Sequence, residues 1–322
     1  MRSGEIVSHT PIPAAAGQLD FLWLEITDQC NLTCSHCYAE SGPSKPLFGT
    51  MDRSDWESII LQARESGCRQ LQFIGGEPTL HPDLSGLLRF ARAAGYSFIE
   101  VFTNATRLRP SLIDCFQENG VTVAASFYSH VPETPDRITN KPGTWEKTVA
   151  GLNRIVAAQL PLRIGVIEME ENAGHLAETV SFLESLGIKS IGADHLRKVG
   201  RGEQAPSPST AERFDQLCGK CWQGKLCVTP SGEAFPCVFS RATLVGNAKT
   251  GLVPILLGEK LRDFRTAIYN YRGKHAHGDC NPDCMPFCKP SCTPECTPTC
   301  PPSCKPYCMP SCTPECNPDR RW

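Results

Sequence analysis

The stretch that decides the fold carries three cysteines and reads Cys30-Asn31-Leu32-Thr33-Cys34-Ser35-His36-Cys37. It follows a strand-like apolar run at residues 21–27. Three thiolates are an informative number, because a four-iron cluster held by three cysteines keeps one iron open to a ligand. Two other interpretations stay open on the residues alone. The spacing would also place the three thiols on one face of a helix, and three cysteines with His36 would make a structural zinc site.

A second motif follows the strand predicted at 71–74, and it reads Gly75-Gly76-Glu77-Pro78. Glycines at the end of a strand let backbone groups approach a ligand closely, and the Glu77 carboxylate can accept hydrogen bonds from an ammonium group. Alone, the motif predicts only a turn. Its position one strand after the cysteine stretch makes it a candidate binding site.

Short apolar strands and helices alternate as far as residue 193. The pattern predicts further strands at 97–102, 121–126, 162–169 and 188–193, and helices at 52–66, 83–94, 110–119, 144–158 and 174–186. Parallel neighbours need crossover connections, so the alternation predicts an α/β fold with a parallel sheet, either open or closed into a partial barrel. Ligands collect at the carboxyl ends of such strands, where Cys30, Gly75, Asn104 and Ser126 all fall.

Composition and charge limit the partners. The chain has 322 residues and a formal net charge of −2, which argues against a nucleic-acid binder that relies on phosphate contacts. The first ten residues lack an apolar signal-peptide core, and no later stretch stays apolar long enough to span a bilayer. We therefore expect a cytoplasmic protein with no membrane partner.

The chain has 19 cysteines, and in a reducing compartment thiolates bound to metal are favoured over disulfides. Cys68 and Cys115 stand apart, and we interpret them as buried small residues. A second group has the spacing C-x2-C-x5-C-x9-C, which suits either tetrahedral zinc or a four-iron cluster. Its members are Cys218, Cys221, Cys227 and Cys237. Residues 229–233 between the last two predict a hairpin turn.

The end of the chain repeats, with a cysteine at every fourth position over 280–316 and a proline at every fourth position over 282–318. Proline at that frequency excludes a helix, and regular polyproline II would space neighbouring cysteines about 12 Å apart, too far to share one ion. Four interpretations stay open: a disordered extension, a metal or cluster reservoir, a source of extra cluster ligands, or a redox-active thiol strip. Before it, 205–210 predicts a linker, with Ser209 or Thr210 capping a short helix.

The C-x3-C-x2-C stretch followed by the glycine motif resembles the radical S-adenosylmethionine (radical SAM) superfamily over about residues 20–260. The resemblance implies a partial (β/α)6 barrel in which Cys30, Cys34 and Cys37 hold a 4Fe-4S cluster whose open iron binds SAM. In that family the reduced cluster cleaves SAM to a 5′-deoxyadenosyl radical, which takes a hydrogen atom from the substrate. It also implies an electron donor of the flavodoxin or ferredoxin type.

The same resemblance implies cofactor contacts. The residues Gly75, Gly76, Glu77 and Pro78 match the motif that binds the methionine amino group. His36 stands where the family usually has an aromatic residue beside the adenine. Asn104 and Ser126 lie at strand ends, where they would meet the methionyl carboxylate or the ribose, although either could be a turn residue. The family's adenine motif on the fifth strand is only partly matched, by Ile164-Gly165-Val166-Ile167.

The family's auxiliary domains, called twitch and SPASM, carry a short cysteine and glycine motif. This motif is matched here by Cys221, Gly232 and Cys237. This match implies that Cys218, Cys221, Cys227 and Cys237 hold a second 4Fe-4S cluster, although structural zinc stays open. No further SPASM ligand set follows Cys237 unless the tail supplies it. The expected division is therefore an extension at 1–19, a radical SAM core at 20–200, an auxiliary cluster domain at 201–272 and a cysteine-proline tail at 273–322.

Family members with auxiliary clusters commonly modify ribosomal peptides, so peptide maturation is the preferred prediction. The first alternative is a radical dehydrogenase, decarboxylase or epimerase acting on a small molecule in natural-product biosynthesis. The second is a metal-binding or thiol-storage protein with an inactive barrel. No substrate-binding or catalytic residue can be named from the sequence.

Overall fold

The computed structural model describes residues 14–203, 214–218 and 220–272. The predicted linker at 205–210, with its capping residues, and the cysteine-proline repeat lie outside the described residues. The strands are β1 Phe21–Glu25, β2 Gln70–Ile74, β3 Phe98–Phe102, β4 Thr122–Phe127, β5 Leu162–Glu168, β6 Ser190–His195, β7 Lys225–Val228, β8 Glu233–Phe235 and β9 Gly246–Asn247. The helices are α1 Arg53–Glu65, α2 Leu84–Ala93, α3 Pro110–Glu118, α4 Glu133–Ile138, α5 Thr144–Ala157, α6 Leu176–Ser185, α7 Leu252–Leu256 and α8 Glu259–Arg272.

All nine strands belong to one sheet in the order β6-β5-β4-β3-β2-β1-β7-β8-β9. β1 to β6 lie side by side in chain order, and each is parallel to the next. A helix joins each pair of these strands, which places the carboxyl ends of all six strands at one edge. The predicted α/β fold with a parallel sheet is confirmed.

α1 shows how local sequence sets these elements. Asp52 and Asp55 form a capping box, because the Asp55 N–H donates to Asp52 Oδ1 (2.9 Å) and the Asp52 N–H donates to Asp55 Oδ2 (3.1 Å). The chain turns away after the helix at Gly67, whose φ is +95°. Between these ends the helix buries one apolar stripe, made of Trp56, Ile59, Ile60 and Ala63.

The two faces of the sheet differ in character, because alternate strand residues point to opposite sides. One face is part of the main apolar core with the helices, and its fully buried side chains include Leu22, Leu24, Leu71, Phe73, Ile99 and Val101. The opposite face, called here the inner face, carries Trp23 and Glu25 of β1, Gln72 of β2 and Glu100 of β3. Its buried polar groups distinguish it from the helix-packed face.

Two parts of the fold were not predicted. α4 is only six residues long, which is too short to show a helical period. Pro132 and Pro135 lie at the start of this helix, where the absence of a backbone N–H costs no hydrogen bond. The chain after the linker does not form a separate sheet, since β7 pairs in parallel with β1.

The predicted hairpin turn is confirmed, because β7 and β8 are antiparallel and the Gly232 N–H donates to the Thr229 carbonyl (2.9 Å). Within the described ranges, no helix is both long and apolar enough to cross a bilayer.

Candidate active site

The stretch at residues 30–37, called here the first cysteine loop, leaves β1 as a series of turns. The Cys30 N–H donates to the Gly42 carbonyl (3.1 Å), and the Cys37 N–H donates to the Cys34 carbonyl (3.3 Å). The three thiols therefore do not share a helical face. They are gathered instead by the curvature of the loop at the carboxyl edge of the sheet.

The three thiols lie near one another, since Cys37 acts electrostatically on both Cys30 and Cys34. The pKa of Cys30 is raised to about 12, mainly by burial and in part by Glu77 and Cys37. The pKa of Cys34 is also raised to about 12, mainly by burial and in part by Cys30 and Cys37. Without a cation Cys30 and Cys34 would keep their protons, so metal binding here must displace those protons.

Three cysteine thiols in one loop have the donor chemistry of an iron-sulfur cluster, in which each thiolate binds a different iron. The assignment of a 4Fe-4S cluster to Cys30, Cys34 and Cys37 stays a prediction.

His36 faces Tyr128, the residue just after β4. The two rings meet edge to face with centroids 5.1 Å apart, and the Tyr128 hydroxyl lies 3.3 Å from His36 Nε2. Burial lowers the pKa of His36 to about 4, so the imidazole is neutral near pH 7. Its Nδ1 is buried without a hydrogen-bond partner among the described residues. A buried orphaned nitrogen beside the cysteines suits a site completed by a polar ligand.

The glycine motif is pressed against the chain that leads into the first cysteine loop. A Cβ on Gly75 would lie 2.5 Å from the Thr27 carbonyl oxygen, and one on Gly76 would lie 2.1 Å from that of Gln29. The Gly76 N–H donates to the Thr27 carbonyl (2.7 Å), and the Glu77 N–H donates to the Gln29 carbonyl (2.8 Å). The glycines thus serve a close contact between two backbone segments, which the sequence could not reveal.

Glu77 is buried, and its carboxylate is held by donors from two loops. Its Oε1 accepts from the Thr79 N–H (3.0 Å), the Thr79 hydroxyl (2.6 Å) and the Thr103 hydroxyl (2.7 Å), and its Oε2 accepts from the Asn104 N–H (2.8 Å). Burial raises the pKa of Glu77, and these hydrogen bonds oppose the rise. Pro78 begins the buried turn that follows. The contact of Glu77 with a cofactor amino group stays a prediction.

Asn104 and Ser126 occupy different parts of the site. The Asn104 amide donates to Asn31 Oδ1 (3.0 Å) and points at Cys30 Sγ (3.8 Å), so it borders the first cysteine. Ser126 lies on the inner face in register with Gly165 and is half-buried. Asn104 already supports the loop, and a ligand contact of Ser126 stays a prediction.

Sequence reasoning missed Arg201, which closes the first cysteine loop from the β6 side. Its guanidinium donates to the carbonyls of Cys34 (2.8 Å) and Ser41 (2.8 Å). The preceding Gly200 has a φ of +58°, and a Cβ there would lie 2.4 Å from the Tyr38 carbonyl oxygen. The pair was missed because it stands beyond β6, where no local pattern connects it to the cysteines.

The turn after α4 is a second support that the sequence did not reveal. The Ser35 N–H donates to the Ile138 carbonyl (2.9 Å), and the Thr33 N–H donates to the Thr139 carbonyl (3.2 Å). Both donors lie between the cysteines of the first cysteine loop. Backbone hydrogen bonds of this kind depend on conformation alone, so residue types carry no signal for them.

The second cysteine group lies where β7 joins β1. Cys221 lies close to both Cys218 and Cys237, and this proximity lowers the pKa of Cys218 and raises that of Cys221. Burial raises the pKa of Cys227, and the nearby Glu25 and Cys237 contribute. The four thiols thus form one group of neighbours. Cys221 and Cys237 pack in an apolar cluster with α8 side chains, namely Phe264 and Ile268.

The family model of the radical SAM superfamily matches residues 24–183, which span the first cysteine loop, the glycine motif and most of the parallel sheet. The chain belongs to the radical SAM superfamily. Superfamily membership accounts for the order of the two motifs and for their contact at the carboxyl edge of the sheet. It leaves the role of each residue a prediction.

Among curated relatives, the AdoMet-dependent heme synthase of Methanosarcina barkeri is 29% identical to this chain over 189 residues. The match covers 58% of this chain and 54% of the relative. The antilisterial bacteriocin subtilosin biosynthesis protein AlbA of Bacillus subtilis is 22% identical over 254 residues, covering 69% and 56%. The chain thus spans little more than half the length of these relatives.

Among solved structures, Streptococcus suis SuiB bound to its precursor peptide SuiA is similar to this chain with a TM-score of 0.63 at 15% identity. The match covers 84% of this chain and 69% of SuiB. At this identity the likeness shows a shared fold.

Proposed function

We propose that this chain is a radical SAM enzyme that cleaves SAM reductively and uses the product to take a hydrogen atom from its substrate. Cys30, Cys34 and Cys37 would hold a 4Fe-4S cluster, which when reduced supplies the electron that breaks a carbon–sulfur bond of SAM. The observation that carries the proposal is the contact between the cysteine loop and the glycine motif. It puts the three neighbouring thiols and the His36 nitrogen that has no partner among the described residues at the carboxyl edge of the sheet.

The chain's own residues prepare that edge. Glu77, fixed by Thr79, Thr103 and Asn104, places negative charge where an ammonium group of SAM would be attracted. Gly75 and Gly76 hold this carboxylate against the loop by removing the side chains that would separate the two segments. The neutral His36 and Tyr128 rings present aromatic surface beside the thiols, which suits an adenine.

The second cysteine group is proposed to hold an auxiliary 4Fe-4S cluster. Its support is the proximity of the four thiols, since Cys221 neighbours Cys218 and Cys237, and Cys237 acts on Cys227. A flavodoxin- or ferredoxin-type protein would supply electrons. The expected core at 20–200 and auxiliary domain at 201–272 are retained as proposed functional units, although one sheet runs through both.

A peptide is the proposed substrate class. Two similar proteins support it, since AlbA acts in the biosynthesis of a bacteriocin and SuiB was crystallised with a precursor peptide. The specific observation that favours a small molecule instead is the match to a heme synthase, at 29% identity. A small-molecule radical reaction is therefore the second candidate.

The class is tested by anaerobic reconstitution with iron and sulfide, followed by an assay for 5′-deoxyadenosine with SAM and dithionite. We expect reductant-dependent release from the parent chain and none from a variant with Cys30, Cys34 and Cys37 changed to Ala. A matched control changes Cys68 and Cys115, which lie in the main apolar core away from both groups. Unchanged release of 5′-deoxyadenosine from the triple variant would contradict the proposal. Iron binding by the parent chain without release of 5′-deoxyadenosine would favour a metal-storage protein.

The substrate class is tested separately by searching beside this chain's gene for a gene that encodes a short peptide, and by using the encoded peptide as the probe. With peptide deuterated at its Cα and side-chain positions, the peptide proposal predicts deuterium in 5′-deoxyadenosine and a mass change in the peptide. SAM cleavage with no deuterium transfer from the peptide would favour the small-molecule candidate.

A further inference from the structure

A buried ion pair lies between the two cysteine sites. Glu25, the last residue of β1, is ion-paired with Arg241, which follows β8. The Glu25 side chain is only 3% exposed, and the Tyr38 hydroxyl donates to its Oε1 (3.0 Å). Tyr38 directly follows Cys37, so one end of this network touches the first cysteine loop. None of the roles assigned above uses it.

The other end of the network surrounds Cys227. Cys227 lies on β7 in register with Trp23 of β1 and with Phe235 of β8, and parallel partners point to the same side of a sheet. Glu25 is two residues beyond Trp23, so its side chain also shares that face. Glu25 and Arg241 both lie close enough to the Cys227 thiol to act on it electrostatically.

Arg241 completes the surroundings of this thiol. Its guanidinium lies 5.3 Å from the centroid of the Tyr38 ring and 5.2 Å from that of Phe235. Cys227 and Phe235 are buried in one cluster, and Tyr38 packs against it. A full positive and a full negative charge therefore stand beside Cys227 in a region from which protein side chains exclude most water.

Charges in such a place act strongly, because the effective dielectric constant is low there and solvent screens little. A buried ion pair is also a poor choice if its purpose is only to join two elements. Apolar side chains of similar volume often do this at no loss of stability. The pair is better explained by the electric field that it imposes on its neighbour.

We propose that Glu25 and Arg241 set the reduction potential of the iron held by Cys227. The inference rests on the auxiliary cluster of the proposed function. The potential of an iron-sulfur cluster depends on nearby charge, because reduction adds an electron to it. Arg241 stabilises the reduced state and raises the potential, and Glu25 opposes it. Both are positioning residues in this role, since neither is among the proposed ligands.

The test is an EPR-monitored redox titration of the full chain in the Cys30→Ala, Cys34→Ala, Cys37→Ala background, in which the signal of the auxiliary cluster is identified by its loss when Cys227 is also changed to Ala. R241M should shift the midpoint potential downward, and E25Q should shift it upward. R241K keeps the charge and should stay near the reference. A structural role would not give opposite signs for the two members of one ion pair.

Circular dichroism identifies any variant that fails to fold. If R241M alone does not fold, the double variant E25Q/R241M, which leaves no unpaired buried charge, still provides a test. With both charges gone, its potential should return toward the reference. Shifts of one sign, or no shift in the folded variants, would overturn the inference. So would a folded reference background that takes up no iron.

These outcomes are separate from those of the proposed function. If the parent chain releases no 5′-deoxyadenosine, the proposed enzyme activity is wrong, yet the potentials of the auxiliary cluster can still be compared. If the potentials do not respond to the two charges, SAM cleavage by the parent chain is unaffected.

Discussion

Single residues decide how the first cysteine loop meets the glycine motif. A Cβ on Gly76 would lie 2.1 Å from the Gln29 carbonyl oxygen, which is far shorter than a van der Waals contact. The backbone of residues 27–29 lies just before Cys30, so any displacement there moves the first thiol. The steric role of Gly76 is therefore separable from cofactor binding and can be measured without a cofactor.

Gly76→Ala is expected to destabilise the chain by about 1–3 kcal/mol, because the added methyl group must displace backbone atoms. Urea unfolding of the cluster-free protein measures this. Gly42→Ala is the matched control, since its Cβ would lie 3.8 Å from the nearest atom, Thr33 Oγ1, at an ordinary contact distance. Equal stability of the two variants would show that the close contact is absent in solution.

Arg201→Met should cost about 2 kcal/mol of stability, because charged donors to the Cys34 and Ser41 carbonyls are lost. It should also lower the iron retained at the first site after gel filtration. Arg262→Met is the control, because Arg262 is 58% exposed and its loss should change stability by less than about 0.5 kcal/mol. If both variants retain iron equally, Arg201 does not support the loop.

The candidate residues could be predicted from local spacing, but their supports could not. Cys30, Cys34, Cys37 and Glu77 belong to motifs that occupy a few adjacent positions. Arg201 reaches Cys34 across 167 residues, and a lone arginine in a sequence does not indicate which carbonyl it will meet. Glu77 itself was predicted, but the three residues that donate hydrogen bonds to it, Thr79, Thr103 and Asn104, were not.

At the scale of elements, α4 and the turn after it form a brace for the first cysteine loop. The brace is itself fixed by Asp136, whose carboxylate accepts from the N–H groups of Gly143 (2.6 Å), Thr144 (2.8 Å) and Trp145 (3.0 Å). These donors are the first N–H groups of α5, which have no partner within the helix. One aspartate thus ties α4, α5 and the cysteine loop together.

Asp136→Ala should lower the stability by about 1–2 kcal/mol, because it leaves the start of α5 without its acceptor. It should also increase hydrogen exchange at the Thr33 and Ser35 amides, which bond to the turn after α4. Glu133→Ala, at an exposed position at the start of the same helix, should do neither. Unchanged exchange in Asp136→Ala would contradict the brace.

The longer helices were predicted closely because each buries one stripe of residues at helical spacing, as α1 does. β2 was predicted from its short run of buried apolar residues. α4 escaped prediction because it makes less than two turns. The pairing of β7 with β1 escaped for a different reason, since strands of four and five residues carry no information on which distant strand they join. The alternation of strands and helices predicted that β1 to β6 form a parallel sheet, and no such rule applied beyond the linker.

At the scale of the whole molecule, one sheet carries both cysteine sites. β1 leads into the first cysteine loop and pairs with β7, which contains Cys227. α8 packs on Cys221 and Cys237 and is the last described element before the cysteine-proline tail. Removal of the tail tests whether its cysteines supply cluster ligands.

Truncation after Gly278 should leave SAM cleavage and a content of about eight irons per reconstituted chain unchanged, because all seven proposed ligands precede that residue. Iron and sulfide analysis of the truncated and full-length chains checks this. Loss of about four irons on truncation would show that the tail supplies cluster ligands.

The central claim is that Cys30, Cys34 and Cys37 hold a cluster with an iron open to SAM. The most direct measurement is the EPR spectrum of the reduced protein before and after SAM is added. A variant that ends after Gly278 and has Cys218, Cys221, Cys227 and Cys237 changed to Ala leaves the first cluster as the sole proposed source of signal. The spectrum of that variant is predicted to change on addition of SAM. A cluster signal that SAM leaves unchanged would contradict the claim.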